Sequence, residues 1–327
     1  MRIDEFLDPT ILIVSGKGGV GKTTVSASLA LVAARQGRKV CIVEVDQKGT
    51  LTKLLGGREA TYEPTELTPR VWGVNITAER SLTEYLEVQY HMKRISRVFT
   101  SSHFVDYIAT AAPGLEDILI LGKIWFLEKG RNIEHDFDTI IVDAPAAGHM
   151  LTFLSAPMGL SDAVRVGPIK RQSEWLVEML QDPKRSRVHL VTLPEEMPVS
   201  ETLETAAALG GKVGIATGCT FANAVYQPLF TDEERTLLDE ISADGSIDEL
   251  CKAADRVGLS LDGRDLEALG GYAGFLQSRR EIQQGHLERL REARAEVIDL
   301  PFLFSAGLAL PDVESLADVI EAEVATL

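Results

Sequence analysis

Cysteine is scarce. The chain of 327 residues has three, Cys41, Cys219 and Cys251, far apart and without a CxxC pair. That excludes a disulfide framework and fits a reducing compartment. Long apolar runs are missing too. No uninterrupted stretch reaches the roughly 18–20 residues that span a bilayer. The N-terminus, MRIDEFLDPT, is acidic and lacks the apolar segment of a signal peptide. Positive charge is in short supply. The formal net charge is −16, with 33 Lys and Arg against 49 Asp and Glu. Such a surface repels a polyphosphate backbone, so no nucleic acid is expected as a general partner, although a local basic pocket could hold one small anion. The expectation is a cytoplasmic protein, with peripheral contact with a membrane left open. The composition, 45% hydrophobic and 25% charged, is otherwise that of a globular chain, without internal repeats or low-complexity linkers.

Apolar runs alternate with helical patterns. ILIVSG (11–16) enters a glycine-rich turn, and TTVSASLALVAARQG reads as a helix closed by Gly37. KVCIVEVD (39–46), VWGVNITA (71–78), DTIIVDAPAAG (138–148), RVHLVTLP (187–194), KVGIATG (212–218) and EVIDLPFLF (296–304) read as further strands. Most are apolar on both faces, as in a mainly parallel sheet covered by helices on both sides. The expected fold is α/β, a doubly wound, mainly parallel sheet, in a single domain over 1–327. A helical subdomain is expected from insertions at about 79–135 and 150–185, and peripheral helices at about 231–295, with breaks at the DG pairs 244–245 and 262–263.

GKGGVGKT (16–23) has the spacing GxxxxGK[ST] between a strand and a helix. This spacing leads to the expectation of a P-loop NTPase, with a mere glycine-rich turn as the alternative, and the following roles are expected of it. Backbone N–H groups of Gly16, Lys17, Gly18, Gly19, Val20 and Gly21 turn toward the phosphates of a nucleotide, and the helix adds its positive end. Lys22 reaches the β/γ-phosphates, and Thr23, followed by Thr24, takes Mg²⁺. Lys17, directly after the first glycine, resembles the deviant form of this loop. That resemblance implies a lysine that crosses a dimer interface to the partner's nucleotide, where it stabilises charge as an arginine finger does. The alternatives are a solvated loop lysine or one that serves its own phosphates.

Two aspartates close apolar strands, where an open parallel sheet presents its chemistry. Asp143 closes TIIVD and suits the Mg²⁺-side carboxylate, with Gly148 offering a backbone N–H to the γ-phosphate. Asp46 closes CIVEVD and suits orientation of the attacking water, reaching the metal through water. Glu44 competes for that second role, and either aspartate could instead cap a helix.

GKGGVGKTT, EVDQKGTLTKLLG and VDAPAAGHMLTFL, in that order, resemble the ArsA/GET group of ATPases, the arsenite-pump and tail-anchored-protein-targeting enzymes. TLPEEMPVSETLE (192–204), FANAVYQPLF (221–230) and LPFLFSAGLALPDVESL (300–316) extend the resemblance from about residue 10 to the C-terminus. It implies a dimeric, Mg²⁺-dependent ATPase. Asp46 matches the switch I aspartate, Asp143 and Gly148 match switch II, and Glu195 matches a glutamate that contacts nucleotide near the dimer interface. Asn223 matches an asparagine that hydrogen-bonds adenine. The plain alternatives are a solvated carboxylate at Glu195 and a turn residue at Asn223.

The chain also departs from that pattern. Switch I reads Asp46, Gln47, Lys48, Gly49 in place of aspartate, proline, alanine, histidine, and Ala147 stands where switch II usually has threonine. The zinc-binding CxxC of the targeting members is missing, as are a second phosphate loop and a recognisable cysteine triad for arsenite. The chain looks like a stand-alone bacterial branch, one often labelled an anion transporter. GLEDILILGKIWFLEKG (114–130) is apolar around nearly its whole circumference, which means burial under neighbouring helices or one wall of a groove for a hydrophobic client. Only six methionines are present, few for an adaptable groove. EYLEVQYHMKRISRVF (84–99) reads as a covering helix and the acidic tail as a packed terminal helix. The expected function is a nucleotide-driven dimer switch that handles a membrane-protein or hydrophobic client, as a homodimer or paired with a paralogue. The alternatives are the catalytic subunit of an anion transporter and a positioning or regulatory ATPase.

Overall fold

The computed structural model describes residues 2–45, 49–57, 59–90, 114–130, 136–228, 230–231, 233–234, 247–294 and 296–327. The strands are β1 Ile11–Gly16, β2 Val40–Glu44, β3 Thr65–Thr68, β4 Val71–Asn75, β5 Thr139–Asp143, β6 Ser186–Thr192, β7 Thr217–Val225 and β8 Val297–Pro301. The helices are α1 Ile3–Phe6, α2 Lys22–Arg35, α3 Thr50–Leu55, α4 Ala78–Tyr90, α5 Leu115–Glu128, α6 Ala147–Ala163, α7 Pro168–Gln181, α8 Glu196–Ala208, α9 Ile247–Arg256, α10 Gly263–Ala293 and α11 Leu310–Thr326. The strands form one sheet in the order β3-β4-β2-β5-β1-β6-β7-β8, and among the described residues only the β3–β4 pair is antiparallel.

Every residue of β1, β2 and β5 is buried, as apolar composition on both faces requires. Alternate residues divide between two cores. Leu12 and Val14 pack with Leu29 of α2 and Leu316 of α11 on one face. Ile11 and Ile13 pack with Ile124 of α5, Phe153 of α6 and Met179 of α7 on the other. The terminal helix is packed as expected, burying Val313, Leu316, Ile320 and Val324. A third cluster joins Val199 of α8, Ala222 and Val225 of β7, and Leu287 and Leu290 of α10. Strand order reverses at β1, between β5 and β6, so the C-terminal end of β1 opens at the switch point where α/β sheets bind ligands.

Two strand expectations change. KVGIATG is not a strand over 212–218: Leu209–Val213 forms a π-helical turn, Gly214 follows with φ 72, and the strand is Thr217–Val225. Val213 and Ile215 are buried as that turn's apolar side, which is why the run looked like a strand. The edge strand β3 was not expected. It is short and polar, buries only Leu67, and meets β4 through a turn that holds Arg70 at φ 68. The DG pair at 262–263 starts a helix: the Asp262 carboxylate accepts from Arg264 N at 2.8 Å and Asp265 N at 3.0 Å. The pair at 244–245 lies outside the described residues, as do 91–99 of the covering-helix expectation, whose first residues belong to α4. Among the described residues, no helix is long and apolar enough to cross a membrane.

Candidate active site

The β1–α2 loop is shaped by its packing. A Cβ at Gly16 would run into the Val191 carbonyl of β6, so only glycine lets β1 pass so close. Gly21 caps α2 with φ 93, and a Cβ there would strike the Asn223 side-chain amide. Val20 is buried between them, while Gly18 and Gly19 form the exposed crest. Asn223 Nδ2 donates to the Val20 carbonyl at 2.9 Å, so β7 props the loop from a distance of some 200 residues in sequence. Lys22 Nζ donates to the Lys17 carbonyl at 3.3 Å, which lays its ammonium across the loop. Thr24 is buried on the core side of α2.

Beneath the loop, Thr23 Oγ1 donates to Asp143 Oδ2 at 2.7 Å and Ser26 Oγ donates to Asp143 Oδ1 at 3.1 Å. Asp143, at the end of β5, is 8% exposed. Burial pushes its carboxyl from 3.8 up to about 6, against the two hydroxyls and the Lys22 charge; Glu44 on the adjacent strand adds to the rise. A hydroxyl and a desolvated carboxylate are hard oxygen donors that gain from a small dication, so Thr23 and Asp143 fit Mg²⁺. Ser15 Oγ donates to the Pro145 carbonyl at 2.8 Å, and Ala144 N donates to the Val14 carbonyl at 3.0 Å, tying the segment after Asp143 to β1. Gly148 stands exposed in the first turn of α6, where backbone N–H groups lack intrahelical acceptors.

The structure brings Gly16, Lys17, Gly18, Gly19, Val20, Gly21, Lys22, Thr23, Asp143 and Asn223 together around one loop. Asp46 lies outside the described residues. Glu44, its competitor, is 2% exposed, and its carboxylate accepts from Gly49 N at 3.2 Å and Thr50 N at 3.0 Å, so it anchors the start of α3. Glu195, at the start of α8, is half exposed and lies 3.6 Å from Arg279 of α10. Lys17 Nζ lies 3.4 Å from Glu201 Oε2 on α8 of its own chain, each side chain about a third exposed. Ser26 and Glu201 are not among the expected site residues. Ser26 is three residues from Thr23 and therefore on the same helix face, a spacing that signals the shared carboxylate. Glu201 had no comparable local sign.

Away from the loop, α4, α5 and α7 surround a cavity of about 250 Å³ lined by Leu119, Trp125, Phe126 and Trp175. The apolar helix of 114–130 supplies one wall, with the Trp125 and Trp175 rings stacked at 5.3 Å. Beside it Lys123 is buried and bound to both oxygens of Glu84 at 2.8 Å, and Tyr62 Oη donates to Glu84 at 2.5 Å.

Residues 9–173, just over half of the chain, match the family model described as anion-transporting ATPase. ATPase BagA of Mycobacterium tuberculosis is 36% identical over 199 residues, 59% of this chain and 58% of that protein. The chain thus spans less than two thirds of that relative. ATPase get3 of Schizosaccharomyces japonicus is 29% identical over 189 residues, 54% of this chain and 56% of the relative. ATPase get3 of Sclerotinia sclerotiorum is 25% identical over 341 residues, covering 97% and 94%.

Proposed function

Because the chain belongs to the ArsA-type family of anion-transporting ATPases, we propose that it binds Mg²⁺ and ATP at the β1–α2 loop and hydrolyses ATP to ADP and phosphate. The observation that carries this reading is the Thr23–Asp143–Ser26 arrangement beneath the loop. The loop N–H groups and the α2 N-terminus would hold the phosphates, and Lys22 would swing from the Lys17 carbonyl to the β/γ-oxygens. Thr23 and Asp143 would hold Mg²⁺, which would supply neutralisation of phosphoryl charge there. Asp46 would orient the attacking water, and the Gly148 N–H would donate to the γ-phosphate. Asn223 would read adenine, and Glu195 would contact the nucleotide near a dimer seam.

The dimer, as two copies or with a paralogue, is part of the same proposal. Lys17 would serve the partner's phosphates. Its ion pair with Glu201 is no obstacle, because a pair this exposed is worth less than about 1 kcal/mol. Closure would be transmitted through Ser15 and Pro145 to α6 and the helices beyond, in one domain built around the sheet. The cavity between α4, α5 and α7 supports a hydrophobic or membrane-protein client, and with it contact at a membrane from the cytoplasmic side. The arsenite-pump alternative has less support. Cys41 and Cys219 belong to opposite cores, and burial pushes both thiols up to about 12. A positioning or regulatory ATPase is the other alternative.

That test is sedimentation of wild type and Asp46→Asn with Mg²⁺ and ATP. Stable dimers in Asp46→Asn that dissociate in wild type as phosphate is released support the switch. Monomers throughout contradict it.

A further inference from the structure

Strand β7 carries one residue too many. Its Ala222 pairs with Asp299 and its Val225 with Pro301, so three steps on β7 face two on β8. The extra residue makes a bulge in a parallel pair, where bulges are rare. Ala224 sits in it at φ 58, a left-handed conformation that an L-residue keeps only when its surroundings impose it. A bulge frees backbone groups from the ladder and turns the neighbouring side chain. Asn223 is that neighbour, and it is turned onto the Val20 carbonyl of the phosphate loop.

The freed groups are collected by one side chain. Gln283 of α10, 5% exposed, accepts from Tyr226 N at 2.8 Å and donates to the Ala224 carbonyl at 3.0 Å. The amide thus pairs the Ala224 carbonyl inside the bulge and the Tyr226 N–H just past the strand end with its own donor and acceptor. Four residues away on the same helix, Arg279 reaches Glu195. One helix therefore contacts both the segment after β7 and the segment after β6.

We infer that Gln283 is a positioning residue for the nucleobase: by pairing the backbone groups of the β7 bulge it fixes the direction in which the Asn223 amide points. The inference rests on the proposed ATP site. The Nδ2–Val20 bond sets the plane of the Asn223 amide and leaves its oxygen as an acceptor for a bound base. That acceptor suits the exocyclic amine of adenine and opposes the carbonyl that guanine carries at the same place. Loosening the bulge frees the amide to rotate, and the preference between the two bases falls.

The experiment measures ATP and GTP affinity by titration, and KM and kcat for ATP by steady-state phosphate release, for wild type, Gln283→Met, Asn223→Ala and the double variant. Gln283→Met conserves volume and removes both hydrogen bonds. The expected result is a loss of about tenfold in the ATP-over-GTP preference, with KM for ATP rising more than kcat falls, and no further loss when Gln283→Met is added to Asn223→Ala. A folded Gln283→Met with wild-type preference overturns the positioning role, as does a loss that adds to that of Asn223→Ala. If Gln283→Met does not fold, Gln283→Glu, which keeps the acceptor for Tyr226, is read in the same way. Wild type that binds neither nucleotide refutes the ATP site itself, a different result from bound nucleotide with unchanged preference.

Discussion

Replacing Asp143 with asparagine separates what the buried carboxylate costs from what it does. Its carboxyl is raised from 3.8 to about 6, chiefly by burial. A native state that holds the proton more tightly than the unfolded chain is favoured at low pH. Asp143's contribution is fully present below about 4 and is lost as pH rises through about 6. Roughly two pK units at about 1.4 kcal/mol each put the cost of ionised Asp143 near 3 kcal/mol at pH 8. Asparagine keeps the shape, can pair with the Thr23 and Ser26 hydroxyls, and carries no charge. Asp143→Asn without nucleotide or Mg²⁺ should therefore resist urea better than wild type at pH 8, by up to about 3 kcal/mol. The gap should shrink to about half by pH 5, where wild type takes up the proton on folding. The same variant should lose Mg²⁺-dependent hydrolysis by about a hundredfold or more. A variant less stable than wild type at pH 8, or a gap independent of pH, refutes the reasoning.

Three further outcomes are expected. Gly16→Ala places a methyl group against the Val191 carbonyl and should cost about 3 kcal/mol or more of stability, read by urea unfolding. Lys17→Ala should change stability by less than about 1 kcal/mol, since its Glu201 pair is a third exposed. It should still bind ATP but hydrolyse it about a hundredfold more slowly, in steady-state phosphate release. His189, fully buried between Phe6 and Phe221, is pushed from 6.5 down to about 3 by burial and by Arg187. A depressed folded value means stability that is present above about 6.5 and lost as pH falls toward 3. His189→Phe should remove about 2 kcal/mol of destabilisation at pH 5, measured as a flatter acid limb of stability against pH.

The central strands were legible because burial on both faces demands apolar residues at every position, and β1, β2 and β5 meet that demand. β7 was misplaced because TGCTFANAV is rich in small and polar residues, while the glycine-broken run before it is more apolar and folds as a π-turn. β3 was missed because an edge strand needs only one buried side chain, here Leu67. The β1–α2 turn was legible because its geometry is local: glycines, lysine and threonine stand within eight residues between a strand and a helix. Asp143 followed from its place at a strand end. What joins the loop to the rest was not legible. The Asn223–Val20 and Lys17–Glu201 contacts depend on which distant elements lie beside β1 and α2, and the sequence carries no spacing for that.

The central claim is that one loop, over one buried carboxylate, hydrolyses ATP. The most direct measurement is phosphate release by the purified chain at saturating ATP, with and without Mg²⁺, beside Lys22→Ala. The account predicts Mg²⁺-dependent turnover in wild type and loss of both nucleotide binding and turnover in Lys22→Ala. Turnover in Lys22→Ala equal to wild type, or no ATP bound by wild type, would contradict it.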